Sequence, residues 1–433
     1  MVVSAGPVLG NEASGDGPGG EPPQAPPLPL LELRDGLPSL TQTQADLDLA
    51  TASIAAGSGP IALDTERASG YRYGQRAYLI QMRREGAGTI LVDPIAMTDF
   101  SGLARALHEP ESQGPESHGP EWILHSATQD LPCLAELGLR PPLLFDTELA
   151  ARLLGMQRHG LAPLVEQILG RGLAKVHGAA DWSRRPLPAD WLEYAALDVE
   201  VLIELRAHLR EQLQRSGKWD WAQQEFAALR DAPPPAPRSD PWRRTSGIHR
   251  VRSRRGLAIV EQLWRARDDV ARATDLAPGR LLPDSAIVAA AQALPPDLPA
   301  MRAVPGFHGR GVARYANEWG DALRHAWAIP DAGLPPAAAR GAGPPPARSW
   351  LQRDPAAAAR LARARAELST RAEELSLPTE NLLSPDVLRR LMWQPPAGDH
   401  EAIRDHLRHL GARPWQVGLT AEILGRAITA TAG

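Results

Sequence analysis

Two proline clusters constrain how this chain can fold more than any other feature. Asp231-Ala-Pro-Pro-Pro-Ala-Pro-Arg238, and residues 334–347 with Pro335-Pro336 and Pro344-Pro345-Pro346, interrupt it twice. Proline has no backbone N–H and a fixed φ, so neither stretch can continue a helix or sit inside a sheet. Both read as stiff linkers, at 231–240 and 331–347. A chain of 433 residues also exceeds one ordinary core. The cuts leave folded blocks at 31–230, 241–330 and 348–433. Residues 1–30 hold seven Pro and six Gly with little apolar periodicity, and read as a disordered tail.

The first block mixes element types. Pro60-Ile-Ala-Leu63, Ala77-Tyr-Leu-Ile-Gln-Met82, Thr89-Ile-Leu-Val92 and Trp122-Ile-Leu-His125 read as short strands. Glu85-Gly-Ala-Gly88 supplies a hairpin turn between the second and third. Residues 99–107, 130–137, 146–154, 161–169 and 189–215 have helical spacing. A mixed sheet covered by helices is expected. The polar stretch Glu109 to Pro120 reads as a surface loop. The later blocks show no strand signal and resemble each other: Pro278 recurs as Pro378, Leu281-Leu282 as Leu382-Leu383, and Pro295-Pro296 as Pro395-Pro396. A duplicated helical module is one reading.

Charge is uneven. Residues 241–330 carry 14 Arg against 8 acids, a net of +6 in a chain whose total is −4. Lys175 and Lys218 are the only lysines, and Cys133 is the only cysteine. An internal disulfide is therefore impossible, which suits a reducing cytoplasm. No apolar run approaches the length of a membrane span and the start lacks a signal-peptide pattern. A soluble, cytoplasmic chain is expected, with no membrane partner, and a monomer is the simplest expectation.

Three groups of residues suggest chemistry. Asp64 and Glu66 follow the apolar run Ile61-Ala-Leu63, and positions two apart on an extended chain project to the same side. Asp130 stands where a strand gives way to a helix, a position that a capping aspartate also favours. Tyr194 and Asp198 lie four apart and share one helix face beside apolar neighbours. An acid buried there is costly unless it is paired or binds a cation. Each group alone has an ordinary structural explanation.

Their order is more specific. Asp-x-Glu, then Asp, then Tyr-x-x-x-Asp, within about two hundred residues of α/β pattern, resembles the tyrosine branch of the DEDD 3′-to-5′ exonucleases. The flanks Ile61-Ala-Leu-Asp-Thr-Glu66, Tyr78-Leu-Ile-Gln81, Leu91-Val-Asp-Pro94, His125-Ser-Ala-Thr-Gln-Asp130, Phe145-Asp-Thr-Glu148, Asp181-Trp-Ser-Arg-Arg-Pro186 and Tyr194-Ala-Ala-Leu-Asp198 resemble ribonuclease D. The resemblance spans residues 59 to 210. It implies an α/β, ribonuclease H-like catalytic domain followed by one or two all-α HRDC-type domains.

The resemblance also implies a chemistry. Carboxylates suit two divalent cations, Mg²⁺ or Mn²⁺, which together can activate water and neutralise the leaving oxygen. Asp64 would bridge both, Glu66 and Asp198 would complete the first site, and Asp130 would hold the second. Tyr194 would orient the attacking water. The implied substrate is the single-stranded 3′ end of structured RNA such as transfer-RNA precursors, with DNA as the alternative. A scaffold that binds nucleic acid without cleaving it is the reading from another class.

Other residues carry two readings each. Gln81 and His125 match family positions near the site, or serve as structural hydrogen bonders. Lys175, Arg184 and Arg185 could touch substrate phosphates or be solvated loop charges. Asp93, Asp146 and Asp181 are expected to cap helices or turns, and Cys133 to fill core.

In the second block Leu257, Val260, Leu263 and Trp264 form an apolar helix stripe, with Arg265, Arg267 and Arg272 largely outside it. Asp284 is expected to cap the next helix. Met301-Arg-Ala-Val-Pro-Gly306 followed by His308-Gly-Arg-Gly311 resembles the HRDC domain, over about 252–330. The six arginines between Arg243 and Arg255 fit either phosphate contact or a solvated basic linker. The third block resembles a more degenerate HRDC-type module. Glu367, Glu373, Glu374 and Glu380 make packing on the catalytic domain an alternative to nucleic-acid binding there.

Overall fold

The computed structural model describes residues 28–109, 118–174, 177–234, 236, 239–337 and 343–430. Most of the expected tail, residues 110–117 of the expected surface loop, and Lys175 lie outside the described residues.

A six-stranded mixed sheet forms the centre of the first block, in the order β1-β4-β3-β2-β5-β6. The strands are β1 (Leu40–Thr41), β2 (Ser58–Arg67), β3 (Ala77–Glu85), β4 (Gly88–Val92), β5 (Glu121–Leu124) and β6 (Leu143–Asp146). β2 and β3, and β3 and β4, run antiparallel, whereas β5 lies parallel to both β2 and β6. The tight β3–β4 turn places Gly86 and Gly88 at φ +82° and +72°. Only glycine takes such values without steric cost.

Alternation along β2 decides what each face of the sheet holds. Ile61 and Leu63 pack with Leu47 and Ile54 of helix α1 (Gln44–Ala56), while Ala62 faces the opposite core with Leu202 and Leu205. Asp64 and Glu66 share the parity of Ala62, so they point toward the helical layer formed by α4 (Ala189–Glu200) and α5 (Leu202–Arg215). Of two helices that follow β5 in the chain, α2 (Leu131–Glu136) packs on the α1 side and α3 (Thr147–Leu153) on the α5 side.

The expected helices over 99–107, 130–137, 146–154 and 161–169 all contain helical segments. The segment expected as one helix over 189–215 is instead two, divided at Val201 (φ −98°, ψ −13°). β1, β6, α1 and the helix α6 (Trp219–Arg230) had no matching expectation.

The second block has its own core, built from Trp242, Leu257, Ile287, Met301 and Trp319 among others. Its helices include α7 (Arg254–Thr274), α8 (Pro278–Leu281), α9 (Asp284–Ala293) and α10 (Ala316–Ala328). Two expectations need correction here. Arg267 is only 6% exposed, donating to the Leu282 carbonyl at 2.8 Å and to Asp284 at 2.7 Å. Asp284 lies within the first turn of α9, after an N-cap at Pro283, and accepts from Arg267 and the Ser246 N–H instead of capping.

The third block repeats this helix order: α11 (Pro355–Glu374), α12 (Thr379–Leu382), α13 (Pro385–Trp393), α14 (His400–His409) and α15 (Pro414–Thr429). Asp275 and Ser376 occupy equivalent places after the long helices, both at φ +49°. Pro378 nevertheless precedes its short helix while Pro278 begins one, so the recurring prolines sit one residue out of step.

Block three does not keep a separate core. Leu361, Leu382, Leu391 and Trp415 join Phe145, Leu205 and Phe226 of the first block in one apolar cluster. Trp415 stacks on Trp221 at 4.9 Å and donates to Glu225. No helix among the described residues is long and apolar enough to cross a membrane.

Candidate active site

Three carboxylates converge where the sheet opens. Asp64 and Glu66 lie within β2, opposite Gln81 and Leu79 of β3. On the other side, β5 pairs with β2 only at Ile61 and Ala62. Beyond that point β5 leaves β2, and the acids face a cavity instead of a neighbouring strand. Asp198 reaches it from α4, which packs on β2, β3 and β4. Carboxylate oxygens of Asp64, Glu66 and Asp198 lie within 4.8 Å of one another.

Asp130 enters from a separate direction. It occupies the N-cap position of α2 but makes no side-chain cap bond. The Thr65 hydroxyl donates to it instead, at 2.7 Å. The cavity holding all four acids has a volume near 280 Å³, and Tyr194, Arg67, Gln129, His125, Gly178 and Leu202 also line it.

Burial and crowding act together on these groups. Desolvation, followed by the charges of Asp130, Asp198 and Glu66, pushes Asp64 far above the ordinary carboxylate range. Burial and the charges of Asp198 and Asp130 raise Glu66. Desolvation also raises Asp130 and Asp198, opposed by bonds from Thr65 and Tyr194 respectively. Four acids held in one low-dielectric cavity are mutually destabilising unless protons or a cation offset them. Hard oxygen donors at this spacing fit a divalent cation such as Mg²⁺ or Mn²⁺.

Tyr194 donates to Asp198, four residues on. Burial and the neighbouring acids hold its phenol above its ordinary range, so it is a donor at neutral pH and not a base. His125 is buried enough to be held down to about 4 and is neutral.

Gln81 is 0% exposed, and neither end of its amide has a hydrogen-bond partner among the described residues. It lies cross-strand from Asp64 and does not line the cavity. Arg184 also lies away from the lining. Arg185 is committed elsewhere: it donates to Asp93 at 2.5 and 2.7 Å and to the Tyr78 and Trp182 carbonyls at 2.8 Å. Its expected phosphate contact has no free donor face in this arrangement.

Asp93 and Asp146 do cap, accepting from Ile95 and Leu149, and Asp181 accepts from Ser183 in a turn. Arg67 was not singled out from the sequence. It lines the cavity, donates to Gln129 at 2.8 Å and is a cation beside Glu66 and Asp130. Its place directly after the Asp-x-Glu pair was the available signal.

Residues 40–214 match a family model described as 3′-5′ exonuclease, residues 256–323 an HRDC domain, and residues 343–428 a 3′ to 5′ exonuclease C-terminal domain. The ribonuclease D of Gluconacetobacter diazotrophicus is 31% identical over 283 residues, covering 64% of this chain and 68% of that one. The chain belongs to the ribonuclease D family. The Escherichia coli K12 ribonuclease D is 30% identical over 64% of this chain and 71% of its own.

Among solved structures, a protein from Bifidobacterium adolescentis superposes with a TM-score of 0.82 at 39% identity, over 93% of this chain and 100% of its own. The Escherichia coli ribonuclease D structure gives 0.65 at 24% identity, over 90% and 98%, and agrees in fold. The chain is thus a 3′-to-5′ exoribonuclease of the ribonuclease D type, and the enzyme reading prevails over the idle scaffold.

Proposed function

We propose that this enzyme trims the single-stranded 3′ ends of structured RNA, transfer-RNA precursors among them, and releases nucleoside 5′-monophosphates. The observation that carries this is the convergence of Asp64, Glu66 and Asp198 on one cavity shared with Asp130 and Tyr194. The Escherichia coli relative is described as an exoribonuclease involved in structured RNA processing, which supports the substrate class.

Asp64, Glu66 and Asp198 are the residues we assign to one divalent cation, with Asp64 and Asp130 toward a second. Mg²⁺ or Mn²⁺ held there would supply Lewis acidity and lower the cost of deprotonating water at neutral pH. Tyr194, kept protonated, orients the water by hydrogen bonding. The water oxygen bonds to phosphorus as the 3′ oxygen of the preceding nucleotide leaves and takes a proton. Arg67, steadied by Gln129, is placed to meet a phosphate.

Further assignments belong to the same reading. The block boundaries at 31–230, 241–330 and 348–433 are taken as domain limits, and the third block is read as a second HRDC-like module, a reading supported by its helix order. A lone cysteine suits a cytoplasmic enzyme.

The test is digestion of matched, labelled RNA and DNA oligonucleotides with metal omitted, with Mg²⁺ or with Mn²⁺. The wild type should shorten the RNA from its 3′ end only when metal is present, and faster than the DNA. Equal rates in the Asp64→Ala and Asp130→Ala variants would refute catalysis by this site.

A further inference from the structure

One wall of the cavity carries a hydrogen-bonding group whose polarity is fixed from behind. The Thr147 hydroxyl lies 2.9 Å from His125 Nδ1 and donates to the Leu124 carbonyl at 3.2 Å. Thr147 is 0% exposed, so water does not compete for either bond. A hydroxyl has a single proton to give. With that proton on Leu124, Thr147 can only accept from the imidazole. Both contacts are satisfied together only by the tautomer with its proton on Nδ1, which leaves Nε2 its lone pair. Burial, which holds the ring neutral, keeps that lone pair available.

Nε2 makes no protein hydrogen bond among the described residues, and His125 lines the same cavity as the four carboxylates. The group presented to substrate is thus a neutral acceptor. It cannot bond phosphate oxygens, which are acceptors as well. A donor is required, and the donors on a nucleotide are the sugar hydroxyls and the amino groups of some bases. Only the sugar hydroxyls are common to every ribonucleotide.

We propose that His125 is a specificity-determining residue that accepts a hydrogen bond from a ribose hydroxyl of the 3′-terminal nucleotide through Nε2. The inference rests on the exoribonuclease reading above and supplies the sugar contact that the carboxylates cannot provide. A buried acceptor left unpaired by a substrate lacking that hydroxyl is what makes such a contact discriminating.

The experiment has two arms, both on the full chain. Selective ¹⁵N-histidine labelling reads the tautomer, with His125 assigned by the resonances missing from His125→Phe. A protonated Nδ1 and a pyridine-like Nε2 are expected, and the opposite tautomer overturns the proposal. In the second arm, single-turnover trimming with Mn²⁺ compares RNAs ending in a ribonucleotide, a 2′-deoxynucleotide, a 2′-fluoronucleotide or a 3′-deoxynucleotide.

Wild type should trim the ribo end about tenfold or more faster than the end missing the contacted hydroxyl. Which of the 2′- and 3′-modified ends is slow identifies that hydroxyl. In His125→Phe the ratio should fall toward one, and Thr147→Val should shrink it by releasing the tautomer. If His125→Phe slows all four ends alike, the hydroxyl contact is refuted while the exonuclease reading stands. A wild type inert on every end would instead overturn the exonuclease reading, and this inference with it.

Discussion

The Thr65 hydroxyl donates to the Asp130 carboxylate at 2.7 Å, joining the β2 strand to the one acid of the site that no strand or long helix carries. Thr65 lies between Asp64 and Glu66 but on the opposite parity, the side on which Cys133 and Leu134 of α2 pack. Cys133 Sγ, 3.2 Å from the same hydroxyl, closes the space behind it.

Replacing Thr65 by Val should leave Asp130 without its bond and raise its pKa further. A hydrogen bond to a buried charged group contributes about 1.5–3 kcal/mol. The Mn²⁺ concentration for half-maximal activity should rise, with little change in circular dichroism. A metal titration unchanged from wild type would show that Thr65 does not position Asp130.

Asp146 braces the turn that carries Asp130 from the other side. Its carboxylate accepts from the Ser126 and Ala127 N–H groups at 3.3 and 2.8 Å while capping α3 through Leu149. Ser126 is held at φ +64°, a conformation that costs a non-glycine residue energy. Asp146→Ala should cost about 3 kcal/mol in chemical denaturation and lower activity by more than the loss of folded protein explains. Wild-type rates per folded molecule would remove Asp146 from any positioning role.

The acids of the site should make stability depend on pH and metal together. A carboxylate whose folded pKa is raised favours folding while protonated, and that stability is lost as pH rises through its folded value. With desolvation pushing Asp198 up to about 7, the metal-free protein should lose stability across the span from the ordinary carboxylate range to that value. Bound Mg²⁺ or Mn²⁺ should reverse the trend by neutralising the ionised acids. Thermal melts with chelator or metal between about pH 5 and 8 check this. A metal-induced rise in Tm that shrinks toward high pH would contradict it.

Lys218 fastens the third block to the first. Its ammonium donates to the carbonyls of Leu153, Leu375 and Ser376 at 2.8, 2.7 and 3.3 Å. Lys218→Met keeps the aliphatic stem but leaves those carbonyls unpaired, and should cost about 2–4 kcal/mol. Limited proteolysis should then cut the third block sooner, while metal dependence at the site stays as in wild type. Unchanged proteolysis would show that the apolar cluster alone holds the block in place.

Much of the site was legible in the sequence because its periodicities are local. Asp64 and Glu66 share a strand face, and Tyr194 and Asp198 share a helix face, whatever surrounds them. Strand β6 was hidden because Phe145 and Asp146 run straight into the cap of α3, where helical spacing dominated the pattern. The buried role of Arg267 was invisible for a related reason: its partners, Leu282 and Asp284, lie on the following turn and helix and not on its own face. Arg185 looked like a free loop cation until its distant partner, Asp93, was placed beside it.

The sequence by itself determined the acid set, the α/β pattern of the first block and the division by proline, since each depends on neighbours a few residues apart. Only the tertiary structure decided which polar groups meet across elements: Thr65 with Asp130, Asp146 with the turn after β5, and Thr147 with His125. Those pairings depend on how β2, β5, β6 and α4 are stacked. A hydrogen bond between residues far apart in the chain leaves no periodic trace, and burial, which sets its strength and the protonation of each partner, exists only once the layers have packed.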